Sequence, residues 1–228
     1  MNSNKRIKKM VYALFMLFAL MITTNVYADT PHNLNLKMVK CDSNKYNNLL
    51  TYDDYNNCYT DYINGDLSTY VINNNDEVDA GSTIMFILNY VPGSPQVITS
   101  INSRLLIDTA IWTPAEDEGE FLFFETNNWP RKSNYTTDWN YNSATGVIGG
   151  SFVDSKNKPL TSETELVYFF LKLNDSATGS ASVNFSKEGG RQDATDFDGT
   201  QYEVNTTDIS VNIPGEEISH DATLGTPP

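Results

Sequence analysis

The sequence predicts an all-β sandwich, and three observations carry that prediction. Short apolar stretches rich in Val, Ile, Phe and Tyr recur along the chain, separated by Asn, Asp, Gly and Ser. No stretch keeps a convincing amphipathic helical period for three turns. The roughly 200 residues that follow an N-terminal leader suffice for one sandwich-sized domain with a sizeable core.

The leader comes first in the chain. Lys5, Arg6, Lys8 and Lys9 form a positive start, and residues 10–22 (MVYALFMLFALMI) are almost wholly apolar. Polar Thr23, Thr24 and Asn25 precede Val26-Tyr27-Ala28, which fits the small-residue rule for signal-peptide cleavage. Residues 1–28 are therefore expected to be a signal peptide. The alternative, a membrane anchor, is disfavoured because the apolar run is short and ends in polar residues. No second such run follows, so the exported chain is expected to be soluble, extracellular and without membrane insertion.

Residues 29–213 are expected to form the sandwich. The part over 29–69 is rich in Asn and Tyr and reads as an early strand at 35–39 (NLKMV) followed by a loop insertion. Cys41 and Cys58 are the only two cysteines, and an even count in an oxidising compartment predicts a disulfide that staples that insertion. Closing so short a loop stabilises by about 2–4 kcal/mol, mainly by restricting the unfolded chain. A metal or redox pair lacks a CxxC spacing and a nearby His. Further strands are expected at 69–73, 82–90 (STIMFILNY), 96–107 (QVITSINSRLLI), 120–125, 146–154, 165–173 (ELVYFFLKL), 181–185, 202–205 and 207–213. Residues 108–112 suggest a short helical turn. The tail from 214 to 228 reads as a linker, with the start of a further module at its end. Any attachment to a cell surface is expected from such a further part.

Charge and residue inventory narrow the function. The whole chain carries a net charge of −14, and losing the leader's four basic residues leaves 11 basic against 29 acidic ones, a net −18. Such a surface repels nucleic acid, whose binding depends on Lys and Arg meeting phosphates. The two histidines, His32 and His220, lie near the ends of the exported chain, which disfavours a Ser-His-Asp triad or a His-based metal site. No GxSxG elbow or phosphate-cradling glycine loop is present. Carboxylates are plentiful enough for a two-carboxylate glycosidase, yet each acidic pair also reads as a solvated turn. The chain is expected not to be an enzyme.

Two groups of residues stand out as ligand candidates. Trp129, Tyr135, Trp139 and Tyr141 fall within thirteen otherwise polar residues (WPRKSNYTTDWNY). Planar rings stack on sugar faces, and Trp139 and Tyr141 share a face if that segment is extended. The favoured reading is that the same rings cover one end of the sandwich core, where Trp and Tyr bury their bodies. The acidic turn DATDFDG offers Asp193, Asp196 and Asp198 as calcium ligands. It fails as an EF-hand, because Gly199 at position 6 puts Ala194 at position 1 and Asn205 at position 12. An Asp/Gly turn entering a strand is the favoured reading. No cofactor is expected beyond a calcium ion at that turn.

The order of segments from about Val71 to Ile213 resembles the cohesin family, a nine-stranded jelly-roll β-sandwich related to carbohydrate-binding modules of families 2 and 3. Asp79-Ala80-Gly81-Ser82-Thr83-Ile84 resembles the family's strand entry, and INSRLLIDTAIW (101–112) is similar to its third-strand signature, with Ile107 and Thr109 departing from the usual Tyr and Pro. Leu166 to Leu173 with Gly179 beyond, and DFDGTQY (196–202), are similar to later strand and turn patterns. Ser219 to Leu224 resembles the start of a cadherin-like module. The resemblance implies a non-catalytic binding module that docks a dockerin-type protein, or a polysaccharide, through one sheet face to which the third strand contributes. The service is linked to polysaccharide degradation or attachment. The alternatives are a structural spacer in a larger surface adhesin and, trailing, a small glycoside hydrolase.

Overall fold

The computed structural model describes residues 30–46, 49, 51–117, 120–125, 135–154, 159–186 and 193–215. The leader, Trp129 and the tail beyond 215 lie outside the described residues. Among the described residues are fifteen strand segments, nine of them five residues or longer, together with one α-helix.

The first sheet is built on β1 (His32–Cys41), β3 (Thr83–Val91) and β11 (Thr164–Leu173), with β3 antiparallel to both β1 and β11. Short β2 (Val71–Ile72) extends β1, while β5 (Trp112–Pro114) and β8 (Phe123–Glu125) share the far edge of β11. The second sheet centres on β4 (Ile98–Ile107), which pairs on one side with β10 (Val147–Asp154) and through it with β9 (Tyr135–Asn142). On its other side β4 meets β12 (Gly179–Phe185) along one half and β13 (Asp193–Asp196) along the other. β15 (Ile209–Ile213) extends β12, and β14 (Gln201–Thr206) extends β13. β14 also runs parallel to the start of β1, so the two sheets join at that seam. A small hairpin of β6 (Glu116–Asp117) and β7 (Glu120–Phe121) stands apart.

Alternation decides which side chains fill the space between the sheets. Leu34, Leu36 and Met38 of β1, Ile84, Phe86 and Leu88 of β3, and Val167, Phe169 and Leu171 of β11 point inward. Ile101, Leu105 and Ile107 of β4 face them from the second sheet, with Ile148 and Phe152 of β10. Phe86 stacks on Phe169 at 5.5 Å and meets Trp112 edge-on at 5.6 Å, while the Trp112 indole N–H donates to the Ser182 carbonyl at 3.1 Å. His32, which its place in the sequence argued out of the core, is buried at the start of β1. Its Nδ1 lies 2.7 Å from the Tyr90 hydroxyl and accepts the Gly93 N–H at 3.0 Å.

The first sheet is apolar on both faces. Every residue of β3 from Thr83 to Tyr90 is buried, and so are Leu166 to Leu171 of β11. Met85, Ile87, Tyr168 and Phe170 point away from the sandwich core and need a second cover. α1 (Tyr52–Ile63) supplies it, and this corrects the expectation of a loop insertion without a three-turn helix. Thr51 and Asp54 form a capping box, the Asp54 N–H donating to Thr51 Oγ1 at 3.3 Å and the Thr51 N–H to Asp54 Oδ2 at 3.0 Å. Tyr55, Cys58, Tyr59, Tyr62 and Ile63 follow the i, i+3, i+4, i+7, i+8 spacing of one helix face, and all pack in this second apolar cluster. Tyr59 stacks flat on Tyr168 with ring centres 3.6 Å apart, and Tyr55 meets Phe170 at 4.8 Å. The expected disulfide is present: Cys58 of α1 joins Cys41 at the end of β1, Cα atoms 6.0 Å apart.

Polar contacts hold the rim of this seat. Asp61 accepts from Lys45 Nζ at 2.7 Å and from the Tyr46 hydroxyl at 2.8 Å. The Lys45 bond, then that from Tyr46, holds the Asp61 carboxyl below its ordinary range, while burial and Asp61 push the Tyr46 hydroxyl up to about 12. Other local expectations are adjusted more mildly. The strand expected at 69–73 is a 3-10 turn, Ser68–Tyr70, leading into β2, and 108–112 is one helical turn that ends as Trp112 enters β5.

Two outcomes follow. Tyr59→Ala leaves Tyr168 without its stacking partner and opens a cavity under α1, so it should cost about 3–5 kcal/mol in urea denaturation. Asp61's folded-state pKa is depressed, so its contribution is fully present above the unfolded carboxylate value near about pH 4 and is lost as pH falls through the folded value. The wild-type denaturation midpoint should therefore drop more steeply below that pH than the midpoint of Asp61→Asn.

Candidate functional site

With α1 over the outer face of the first sheet, the outer face of the second sheet is the broad strand surface that no other described element covers. Its side chains are set by the register of β4 and β10. Leu106 pairs with Val147, Arg104 with Gly149, Asn102 with Ser151, and Ser100 with Val153. These residues alternate with the inward-facing Ile101, Leu105, Ile148 and Phe152, so all eight share the outer face. Asn142 and Asn140 of β9 continue two of these rungs.

The middle rungs form a shallow groove of about 440 Å³ lined by Asn102, Arg104, Asn140, Gly149, Ser151, Asp193 and Gln201, among others. Asp193 of β13 pairs with Asn102 in register; its Oδ1 accepts the Asn102 amide at 2.6 Å and its Oδ2 the Gln201 amide at 3.4 Å. These bonds fix the amide wall of the groove. Gly149 leaves the floor low, and the stem of Arg104 lies beside it: a Cβ at 149 meets Arg104 and the Ser103 carbonyl only at ordinary contact distances of 3.6–3.8 Å. Leu106 and Val153, at the two ends of the ladder, are 39% and 41% exposed, a high exposure for aliphatic side chains in paired strands. The groove holds one cation, Arg104, and one carboxylate, Asp193, among its lining residues.

The residues singled out from the sequence fall elsewhere or play other parts. Trp139 and Tyr141 do share a face of β9, and it is the inner one. Trp139 is 5% exposed within the sandwich core. Tyr141 is half-buried against Phe121 at 5.8 Å, and burial, with Glu116, raises its hydroxyl pKa. Tyr135 begins β9, and Trp129 lies outside the described residues. Of the acidic turn, Asp193 belongs to the groove. Asp196 closes a tight loop, its Oδ1 accepting N–H groups of Asp198 at 3.0 Å and Thr200 at 2.8 Å and its Oδ2 the Tyr202 hydroxyl at 3.1 Å. Burial pushes the Asp196 carboxyl up, but these bonds, led by that from Thr200, hold it below its ordinary range. Gly199 completes the turn at φ +84°, a conformation that glycine adopts without strain. Asp198 is exposed, and no group of three or more His, Cys, Asp or Glu able to hold a metal occurs among the described residues. Sequence reasoning missed Asn102, Arg104, Leu106, Gly149 and Ser151 as a set. Alternation along 98–107 and 147–154 would have put each series on one face, but not the two together.

The sequence matches no protein-family model and no curated protein. Among solved structures the fold is similar to the sixth cohesin of scaffoldin B from Acetivibrio cellulolyticus, crystallised in complex with a Cel5 dockerin mutant. The TM-score is 0.50 at 12% identity, over 81% of this chain and 99% of that one. It is also similar to type II cohesin A11 from Bacteroides cellulosolvens, with TM-score 0.50 at 13% identity over 61% and 95% of the two chains. The protein thus has a cohesin-like β-sandwich fold, and the likeness extends to the fold alone. Among the described residues no helix is long and apolar enough to cross a membrane.

The Asp193 carboxylate makes a short charge-assisted bond and is almost wholly buried. Asp193→Ala leaves the Asn102 amide unpartnered and should lower stability by about 1.5–3 kcal/mol, read as a shift in the urea midpoint at unchanged slope.

Proposed function

We propose that the protein is an exported, non-catalytic docking module that receives a dockerin-type protein on the outer face of its second sheet. The observation that carries this reading is the division of labour between the two sheets. α1 and its disulfide close the outer face of the first, while the second presents exposed Leu106 and Val153 on either side of a polar groove. Isolated exposed apolar residues need no explanation, but this pair on one face, flanking a low glycine floor, suits a flat partner surface. The cohesin-like fold supports the same partner class, since the scaffoldin B cohesin was crystallised with a dockerin. Export outside the cytoplasm rests on the leader pattern and agrees with the disulfide.

A glycosidase is a poor fit to the groove, which offers one carboxylate among its described lining residues where hydrolysis needs two flanking the bond. A stacking platform for polysaccharide is a poor fit as well. Trp139 is spent in the core, and no aromatic ring is among the described residues lining the groove.

The test immobilises the exported chain and exposes it to a panel of purified dockerin modules and, in parallel, to cellulose, xylan and a glycan array. Capture of at least one dockerin module, abolished by Gly149→Tyr, is the expected result. A Cβ there meets its neighbours only at ordinary contact distances of 3.6–3.8 Å, so the fold should survive it. Binding to glycans alone, or capture of no module, overturns the reading.

A further inference from the structure

Beyond the apolar seat of α1, the outer face of the first sheet ends in polar side chains. Ile87 of β3 faces α1, so its partner on β1, Lys37, and the next outward residue of β3, Asn89, stand on the same side. Glu165 of β11 is in register with Asn89, and Glu163 lies just before that strand. A single oxygen, Glu163 Oε1, accepts from both Lys37 Nζ at 3.2 Å and Asn89 Nδ2 at 2.9 Å. Bonds to a common acceptor keep the two nitrogens no more than about 6 Å apart. Lys37 Nζ also donates to Glu165 Oε1 at 3.4 Å, and the Tyr62 hydroxyl of α1 donates to the same oxygen at 3.0 Å. Asn89 is 2% exposed, and its Oδ1 has no hydrogen-bond partner among the described residues, an exception for a buried polar group that asks for a reason.

We propose that Lys37 and Asn89 are the two ends of an intramolecular amide cross-link, which the folded chain forms by itself with Glu163 as the proton carrier. Glu163 Oε1 takes one proton from the Lys37 ammonium, and the freed electron pair on Nζ attacks Asn89 Cγ to form the Nζ–Cγ bond. That proton and a second one from Nζ pass to Nδ2. The Cγ–Nδ2 bond breaks with its electron pair going to nitrogen, and ammonium leaves. Glu163 ends as the carboxylate it began as, and one amide replaces another with no oxidant, reductant or cofactor. Sheet register supplies the proximity, because diagonal neighbours on adjacent strands lie within reach of a long, flexible lysine stem. The bonds from Lys37 and then Asn89 hold the Glu163 carboxyl below its ordinary range, so it enters ionised, as a proton acceptor placed against both nitrogens. Glu163 is itself exposed, which gives the ammonium a way out to solvent. Lys40, Lys45 and Lys172 pair with Asp79, Asp61 and Asp175, and among the described bonds none of these carboxylates also holds a carboxamide. The product ties β1 to β3 and encloses α1 and the Cys41–Cys58 bridge in one covalent ring.

The experiment is intact mass spectrometry of the full exported chain, followed by tryptic mapping. Lys37→Arg keeps the cation without the primary amine, Glu163→Gln removes the proton carrier, and circular dichroism checks that both are folded. The wild-type chain should be lighter than its disulfide-bonded sequence mass by one ammonia, with a branched peptide joining Lys37 to Asn89. Both variants should keep the full mass and yield the two peptides unlinked. A wild-type chain at full mass overturns the proposal. So does an ammonia loss that persists in Lys37→Arg or maps to another asparagine, as a succinimide at Asn64 before Gly65 would. A branched peptide formed as fully in Glu163→Gln as in the wild type overturns the part given to Glu163. None of these outcomes bears on the docking reading, which concerns the other sheet.

Discussion

The structure depends on one requirement: the sheet of β1, β3 and β11 is apolar on both faces and must be covered twice. The second sheet covers it on one side. On the other, Met85, Ile87, Tyr168 and Phe170 are sealed by α1, with Tyr59 stacked on Tyr168 at the centre. Exposing those four side chains to water would forfeit about 1.5–3 kcal/mol for each large apolar side chain, a sizeable part of a domain's net stability. The helix is too rich in Asp, Asn and Tyr to persist on its own, so its order comes from this packing, its capping box and the Cys41–Cys58 link.

The same requirement allocates the surfaces. A sheet face that carries a helix cannot present its strands to a partner, which leaves strand-face docking to the second sheet. There β4 is the pivot. Its inward residues, Ile101, Leu105 and Ile107, lock into the core, and its outward ones, Asn102, Arg104 and Leu106, stand in the order of the ladder. β13 braces that ladder through the Asp193–Asn102 bond, and the β9–β10 hairpin supplies the low floor at Gly149. The groove is therefore a product of sheet register, and its geometry is as stiff as the sheet that forms it.

Much of this was legible in the sequence where local chemistry and tertiary packing agree. The strands at 82–90, 96–107, 146–154 and 165–173 came through because β-branched and aromatic runs are bounded by turn residues, and the disulfide because two cysteines in an exported chain leave one pairing. α1 did not, because its buried face is made of Tyr and Cys, which carry little hydrophobic signal beside so many Asn and Asp. Two cues for it were present: the T-x-x-D capping box at Thr51 and the unbroken apolar run of STIMFILNY, which lacks the alternation of a strand with one wet face. β9 and β13 were missed because their residues are mostly polar and their order comes from pairing. The shared face of Trp139 and Tyr141 left two readings open, core cover and glycan platform, since a common face in a strand does not say whether that face is inside. The groove was out of reach because it joins residues from β4, β9, β10, β13 and β14, which only the folded register brings together.

The claim that α1 closes one sheet face so that the other docks is tested most directly by hydroxyl-radical footprinting, which reads side-chain exposure. The full exported chain is compared alone and with its captured dockerin-type partner. The account predicts loss of reactivity at Leu106 and Val153, with exposed Tyr52 of α1 and exposed Tyr70 of the turn before β2 unchanged. Protection of Tyr52 and Tyr70 with Leu106 and Val153 unaltered would contradict it.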